Sequence, residues 1–220
     1  MQVRRIRWLT PLLVSGVFTA VLFLLHHELR QYHLHDILAA VRAIRGGQLL
    51  LAGLLTAADY LVLTGYDRLA LRYLGQRLSG GRVALASFVG FGMGHNLGTL
   101  LGGSTVRYHL YSSWGLSAFE VFSLVVFLGV TFWVGVLSLG GAVFLIDPFP
   151  IPSRLGLPFS GTRWLGALML PAGLAYVLLA ALRRRPVVIR QEEFAAPGWR
   201  VALTQVVLST CDLALAAGVV

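Results

Sequence analysis

The sequence predicts an all-α, polytopic transmembrane helical bundle with a re-entrant helical hairpin, and three observations carry that expectation. Of the 220 residues 57% are hydrophobic and only 12% charged, where soluble domains carry about a quarter. Six apolar runs, at 8–25, 48–66, 83–101, 118–146, 164–182 and 201–220, reach the roughly 18 residues a helix needs to cross the hydrocarbon core. None shows the strict alternation of a barrel strand, and a helix satisfies its own backbone groups in lipid.

Each run is placed by the arginines around it, because cytoplasmic connections collect positive charge. The first run follows "MQVRRIRW"; it is long for a signal peptide and lacks a small-x-small cleavage pattern, so it reads as a retained helix. Arg4, Arg5 and Arg7 put the N-terminus in the cytoplasm, and Arg68, Arg72, Arg77 and Arg82 in "DRLALRYLGQRLSGGR" put the end of the second run there too. The connection between them, holding His26, His27, His33 and His35, faces outward, and "HDILAAVRAI" within it has the spacing of a short interfacial helix.

Reading backwards from the basic "RRRPVVIRQEEF", the proline-rich "DPFPIPSRLGLPFSG" is external and the run 118–146 starts inside. The forward count puts the end of the run 83–101 outside. The two counts conflict unless 82–117 turns back on itself, so the economical expectation is a hairpin broken near "LLGGST" with its irregular backbone buried among other helices; the alternative is an ordinary span with an external Arg107. The last run reaches Val220 with no polar tail, which leads us to expect that the natural protein continues.

The excess of 18 basic over 9 acidic residues is explained by these orienting arginines, so nucleic acid is not needed as a partner. Cys211 is the only cysteine, which excludes an internal disulfide and a cysteine-rich metal centre. No activated nucleophile beside a base, zinc-protease pair or phosphate-binding Walker loop is present, and neither a cofactor nor a catalytic site is expected in these residues.

Four groups of residues attract attention. Gly90, Gly94, Gly98 and Gly102 recur every fourth position, a spacing that lets helices approach closely in lipid. His95 and Asn96 sit beside that row as interhelical hydrogen-bonding groups or as lining of a polar path, with no second ligand that would make the histidine a metal site. Asp59 and Asp212 lie deep in apolar runs, where ionisable groups are functional candidates or make structural bonds with Arg107 or a helix terminus, and Glu120 lies at the start of one, where an interfacial or helix-N-terminal role is an equal reading. Arg107 follows Gly103, Ser104 and Thr105 and precedes Tyr108, a composition suited either to a phosphodiester or to an interfacial arginine among belt aromatics.

Taken in order, "GYDRLALRYLG", "GRVALASFVGFGMGHNLG", "GGSTVRYHLYSSWGLSAFEV" and "TFWVG" resemble the N-terminal membrane domain of the MprF family, the bifunctional lysylphosphatidylglycerol flippase/synthetases of bacteria. The resemblance covers at least residues 65–135. It implies a multi-pass protein of the inner membrane that moves aminoacylated phosphatidylglycerol to the outer leaflet and so confers resistance to cationic antimicrobial peptides. Its implied partners are the phospholipid, the membrane, a C-terminal synthase domain of the same protein and a second copy of the chain. With that cargo, Arg107 and the "GGST" backbone would hold the phosphate, while Asp59, Glu120 or Asp212 would hold the amines. Two alternatives are a membrane scaffold for the synthase and an ion-coupled transporter of small solutes.

Overall fold

The computed structural model describes residues 44–150, 161–182, 187–189, 192–194 and 197–219, together with Thr19 and Phe23. The expected helix 8–25 lies outside the described residues except at Thr19 and Phe23, both helical, and the histidine-rich connection with its interfacial helix lies outside them altogether. The chain divides into two compact units, Met1–Leu50 and Leu51–Val220. In the first, the described residues begin a helix at Gly46, where the Arg45 amide donates to Gln48 Oε1 at 3.2 Å. The second holds the remaining elements.

Seven α-helices follow in the described residues: α1 Gly46–Tyr73, α2 Gly80–Leu97, α3 Ser104–Ser113, α4 Ala118–Gly135, α5 Gly141–Ile146, α6 Arg163–Leu182 and α7 Trp199–Val219. Two π-helical turns, Thr99–Gly103 before α3 and Val136–Gly140 between α4 and α5, join them. Among the described residues four helices are long and apolar enough to cross a membrane: α1, the continuous rod Ala118–Ile146, α6 and α7. The class is the expected all-α polytopic bundle, with one small addition in the basic connection before α7, where β1 (Val187–Ile189) pairs antiparallel with β2 (Glu192–Phe194).

The segment after α1 does not run on as a plain span. At Gly98 the backbone takes φ +84° and ψ 149°, a left-handed value open to glycine at little cost, and α2 stops there. The break thus precedes "LLGGST", the place expected from the sequence. The chain then returns along α2. A Cβ on Gly94 would sit 3.7 Å from Gly103 Cα, one on Gly90 would sit 2.8 Å from Arg107 Cζ, and Arg82 Cζ lies 5.7 Å from the centre of the Trp114 ring. Pairs 94 with 103, 90 with 107 and 82 with 114 define an antiparallel helical hairpin.

Around this hairpin the buried apolar residues form one cluster, with Leu63, Tyr66, Val83, Tyr111, Val121 and Leu124 at its centre. The start of α4 is fixed there by a capping box: Ser117 Oγ accepts from the Glu120 amide at 3.2 Å, and the Ser117 amide donates to Glu120 Oε2 at 2.7 Å. Such reciprocal caps satisfy two otherwise orphaned N–H groups at a helix start.

The other helices meet through small residues rather than a leucine core. A Cβ on Gly135 would approach Ser209 Cβ to 2.3 Å, one on Gly141 would lie 2.6 Å from the Leu170 amide nitrogen, and one on Gly173 would lie 2.7 Å from Ser138 Oγ. Lipid tails are as apolar as leucine, so close backbone packing holds such helices together.

Two measurements test this packing. Gly141→Ala must push backbone against backbone and is expected to cost about 1–3 kcal/mol; Gly129→Ala, which meets nothing within 4 Å, should be neutral or stabilising by up to about 1 kcal/mol. Thermal unfolding in detergent separates them, and equal behaviour would contradict the α5–α6 contact. For the hairpin, a membrane-impermeant maleimide should reach Ser79→Cys and Ser113→Cys, each in a Cys211→Ala background, from the same side of the membrane. Labelling from opposite sides would exclude a re-entrant segment.

Candidate functional site

The last third of α1 carries the buried charge that organises the bundle. Asp67 follows an apolar stretch and has no exposed surface. Its carboxylate accepts from Arg107 Nε on Oδ1 and from Arg107 Nη2 on Oδ2, both at 3.1 Å, while Tyr111 Oη donates to Oδ1 at 2.7 Å. Arg107 is 3% exposed and Tyr111 fully buried. This is the forked geometry in which a guanidinium and a carboxylate bind most strongly.

The guanidinium is enclosed on its other sides. Its Cζ lies 4.2 Å from the centre of the Phe91 ring, a cation–π contact. Gly90 completes the enclosure, because a methyl group there would stand 2.8 Å from both Cζ and Nη1. One member of the glycine row therefore serves as the floor of an arginine pocket. Gly94 and Gly102 serve the close return of the hairpin, and Gly98 its break, so the four positions do not form one face of a single continuous helix.

A second cluster lies along α1 toward its start. Tyr66 Oη donates to Asp212 Oδ2 on α7 at 2.7 Å. Asp59, seven residues before Tyr66 and so on the same face of α1, stands close enough to Asp212 for the two carboxyl groups to interact electrostatically. Asp59 Oδ1 is buried with no hydrogen-bond partner among the described residues. Eight residues of helix, about 12 Å, separate Asp59 from Asp67, so α1 presents acids at two depths.

A third group crosses α4, α6 and α7. Tyr176 Oη donates to Gln205 Oε1 at 2.6 Å, and Gln205 Nε2 donates to Thr131 Oγ1 at 2.8 Å. Gln205 and Thr131 have no exposed surface.

The residues singled out from the sequence fall in different places. Arg107 is in the buried pair, with Gly103 against Gly90 and Gly94. Ser104 Oγ donates back to the Thr99 carbonyl at 2.8 Å, and Thr105 and Tyr108 are exposed on α3. Asp59 and Asp212 come together, whereas Glu120 stands apart at the start of α4, engaged by Ser117 and by Gln76 Nε2. His95 and Asn96 are exposed at the far end of α2, where Asn96 Nδ2 donates to the Gly92 carbonyl of its own helix at 2.7 Å. Among the described residues no group of three His, Cys, Asp or Glu side chains could hold a metal.

Sequence reasoning missed Asp67, Tyr66 and Tyr111. Asp67 stands at the edge of the apolar run next to Arg68, and so reads as the start of a cytoplasmic connection, although α1 continues to Tyr73. Its spacing from Asp59 on a helix was the available signal. Tyr111 looked like an interfacial aromatic, and nothing local distinguishes it from Tyr108, which does face outward.

No protein-family model matches the chain. It is 33% identical over 218 residues to the uncharacterized protein slr0712 of Synechocystis sp. (strain ATCC 27184 / PCC 6803 / Kazusa), an alignment covering 98% of this chain and 68% of that protein. It is 29% identical over 199 residues to the inner membrane protein YbhN of Escherichia coli (strain K12), covering 89% of this chain and 62% of YbhN. The chain thus spans about two thirds of the length of these relatives. On that similarity and on its apolar helices, the chain belongs to the same family as slr0712 and is a bacterial, multi-pass helical protein of the inner membrane.

Proposed function

We propose that this bundle translocates a polar lipid carrying both signs of charge, of the aminoacyl-phosphatidylglycerol type, from the inner to the outer leaflet, as part of a lysylphosphatidylglycerol synthase/flippase. The observation that carries the reading is the buried Asp67–Arg107–Tyr111 cluster inside the hairpin, with the Asp59–Asp212–Tyr66 cluster farther along the same helix. The motif resemblance to the MprF membrane domain supports it. Neither relative is named for lipid transport, and the synthase partner rests on the resemblance alone.

A charge left alone in a bundle interior costs several kcal/mol. Arg107 and Asp67 therefore stay closed on each other until a ligand supplies a replacement for both at once. A lipid with a phosphodiester and an ammonium does this: the phosphate takes Arg107, the ammonium takes Asp67, and neither charge is stranded. Asp59 and Asp212 offer a second carboxyl station for the amines, while the acyl chains stay in the bilayer beside the helices. Delivered to the outer leaflet, such a lipid raises the positive surface charge and repels cationic peptides.

The test compares total with outer-leaflet aminoacyl lipid in cells supplied with a synthase. Removing one partner, as in Arg107→Met or Asp67→Leu, is expected to cost about 3–5 kcal/mol and lower the amount of folded protein. Removing both charges together should restore folding, because isosteric apolar replacement of a buried pair is often neutral. Abundant Asp67→Leu/Arg107→Met protein should then leave total lipid unchanged and reduce outer-leaflet exposure at least tenfold. Unchanged exposure would exclude the translocation reading, and a fall in synthesis at constant exposed fraction would favour a scaffold.

A further inference from the structure

The buried pair leaves Arg107 without a free fork for an incoming anion, which raises the question of where a phosphate is first met. The arginine-rich connection between α1 and α2 supplies a place. Arg68, Arg72, Gln76 and Arg77 line a single hollow of about 690 Å³, with Leu71 and Val83 contributing apolar lining. That volume is in the range of sites for small molecules.

The arginines are arranged around the hollow rather than merely exposed. The Arg68 guanidinium folds over the start of α2, where a methyl group on Gly80 would lie 2.7 Å from its Nη2. Arg72 faces a second hollow of about 250 Å³ as well, shared with Arg200 from α7. Among the described residues no ion pair engages Arg68, Arg72 or Arg77; the carboxylate of Glu120 at the edge of the hollow is held instead by Gln76 Nε2 and the Ser117 amide. The first turn of α2 holds no acidic residue, and Ser79 before it makes no side-chain cap, which adds the positive end of a helix dipole. Arginines that only orient a protein need to lie on one side of the membrane; they need not converge on one hollow.

We propose that this hollow binds the phosphate of an anionic ligand. The apolar lining favours a lipid headgroup at the glycerol boundary over free phosphate. The position suits a docking step, since Arg68 adjoins Asp67 in the chain and Leu71 follows Asp67 by one helical turn. This deepens the translocation reading by naming the lipid's first contact, and it rests on that reading only for its place in the sequence of events.

Binding to the full chain in detergent, measured without any transport, tests it. The probes are dioctanoyl-phosphatidylglycerol, inorganic phosphate and dioctanoylglycerol, which lacks the phosphate. Dioctanoyl-phosphatidylglycerol should bind the unaltered chain, and Arg68→Gln/Arg72→Gln/Arg77→Gln should raise its Kd at least tenfold, while Arg45→Gln/Arg163→Gln leaves it within twofold. Inorganic phosphate binding as tightly, with the same dependence on the triple substitution, would also support the site and identify free phosphate as its ligand. Equal binding of dioctanoylglycerol, no binding of either phosphate probe, an unaffected triple variant, or an equal loss in the control variant would overturn the proposal. Because these outcomes are read without translocation, they leave the fate of the buried pair to the cellular assay.

Discussion

Two charges closed on each other in the interior organise this part of the molecule. Asp67 and Arg107 come from elements 40 residues apart, and each would be intolerable there without the other. Their pairing requires α3 to lie along α1, which in turn requires the chain to reverse after α2. Gly90 leaves the room for the guanidinium, Phe91 covers its face and Tyr111 supplies a third donor to the carboxylate. The hairpin, the pocket and the apolar cluster around Tyr66 and Tyr111 are consequences of one constraint, that every buried donor and charge must find a partner.

The same constraint shapes the remaining helices with neutral groups. Tyr176, Gln205 and Thr131 form a hydrogen-bonded chain across three helices, and glycine meets serine where the backbones approach most closely. Each such bond contributes modestly, of order 1 kcal/mol in membranes. Their role is to choose which faces of otherwise uniform apolar rods meet. The buried ion pair lies between α1 and the hairpin, the Asp59–Asp212 pair between α1 and α7, and the neutral hydrogen-bonded chain between α4, α6 and α7, so both buried acidic clusters involve α1.

This distribution gives the proposed activity a physical shape. An ion pair stable at rest and replaceable by a ligand of both signs is a gate that distinguishes such a ligand from a simple anion or cation. In that proposal the basic hollow beside it is where anions gather before the gate, and the second carboxyl pair lies about 12 Å farther along α1. The three features follow one helix from its arginine-rich end inward.

Much of this was legible from composition and periodicity. Among the described residues the helical runs follow from apolar length, because crossing hydrocarbon is a property of a segment and needs no knowledge of its neighbours, and the reversal of residues 82–117 is one of two readings of the arginine counts. The depth of Asp59 and Asp212 could be read in the same way. Pairing could not. That Arg107 meets Asp67, that Asp59 meets Asp212, and that Tyr111 turns inward while Tyr108 turns outward are decided by which helix faces touch, whereas the helix-start role of Glu120 is local and is one reading of its position. Those faces are nearly alike in hydrophobicity along each rod, so the choice between them was made by steric fit at glycines and by the demand of a few polar atoms for partners, and both exist only in the packed structure.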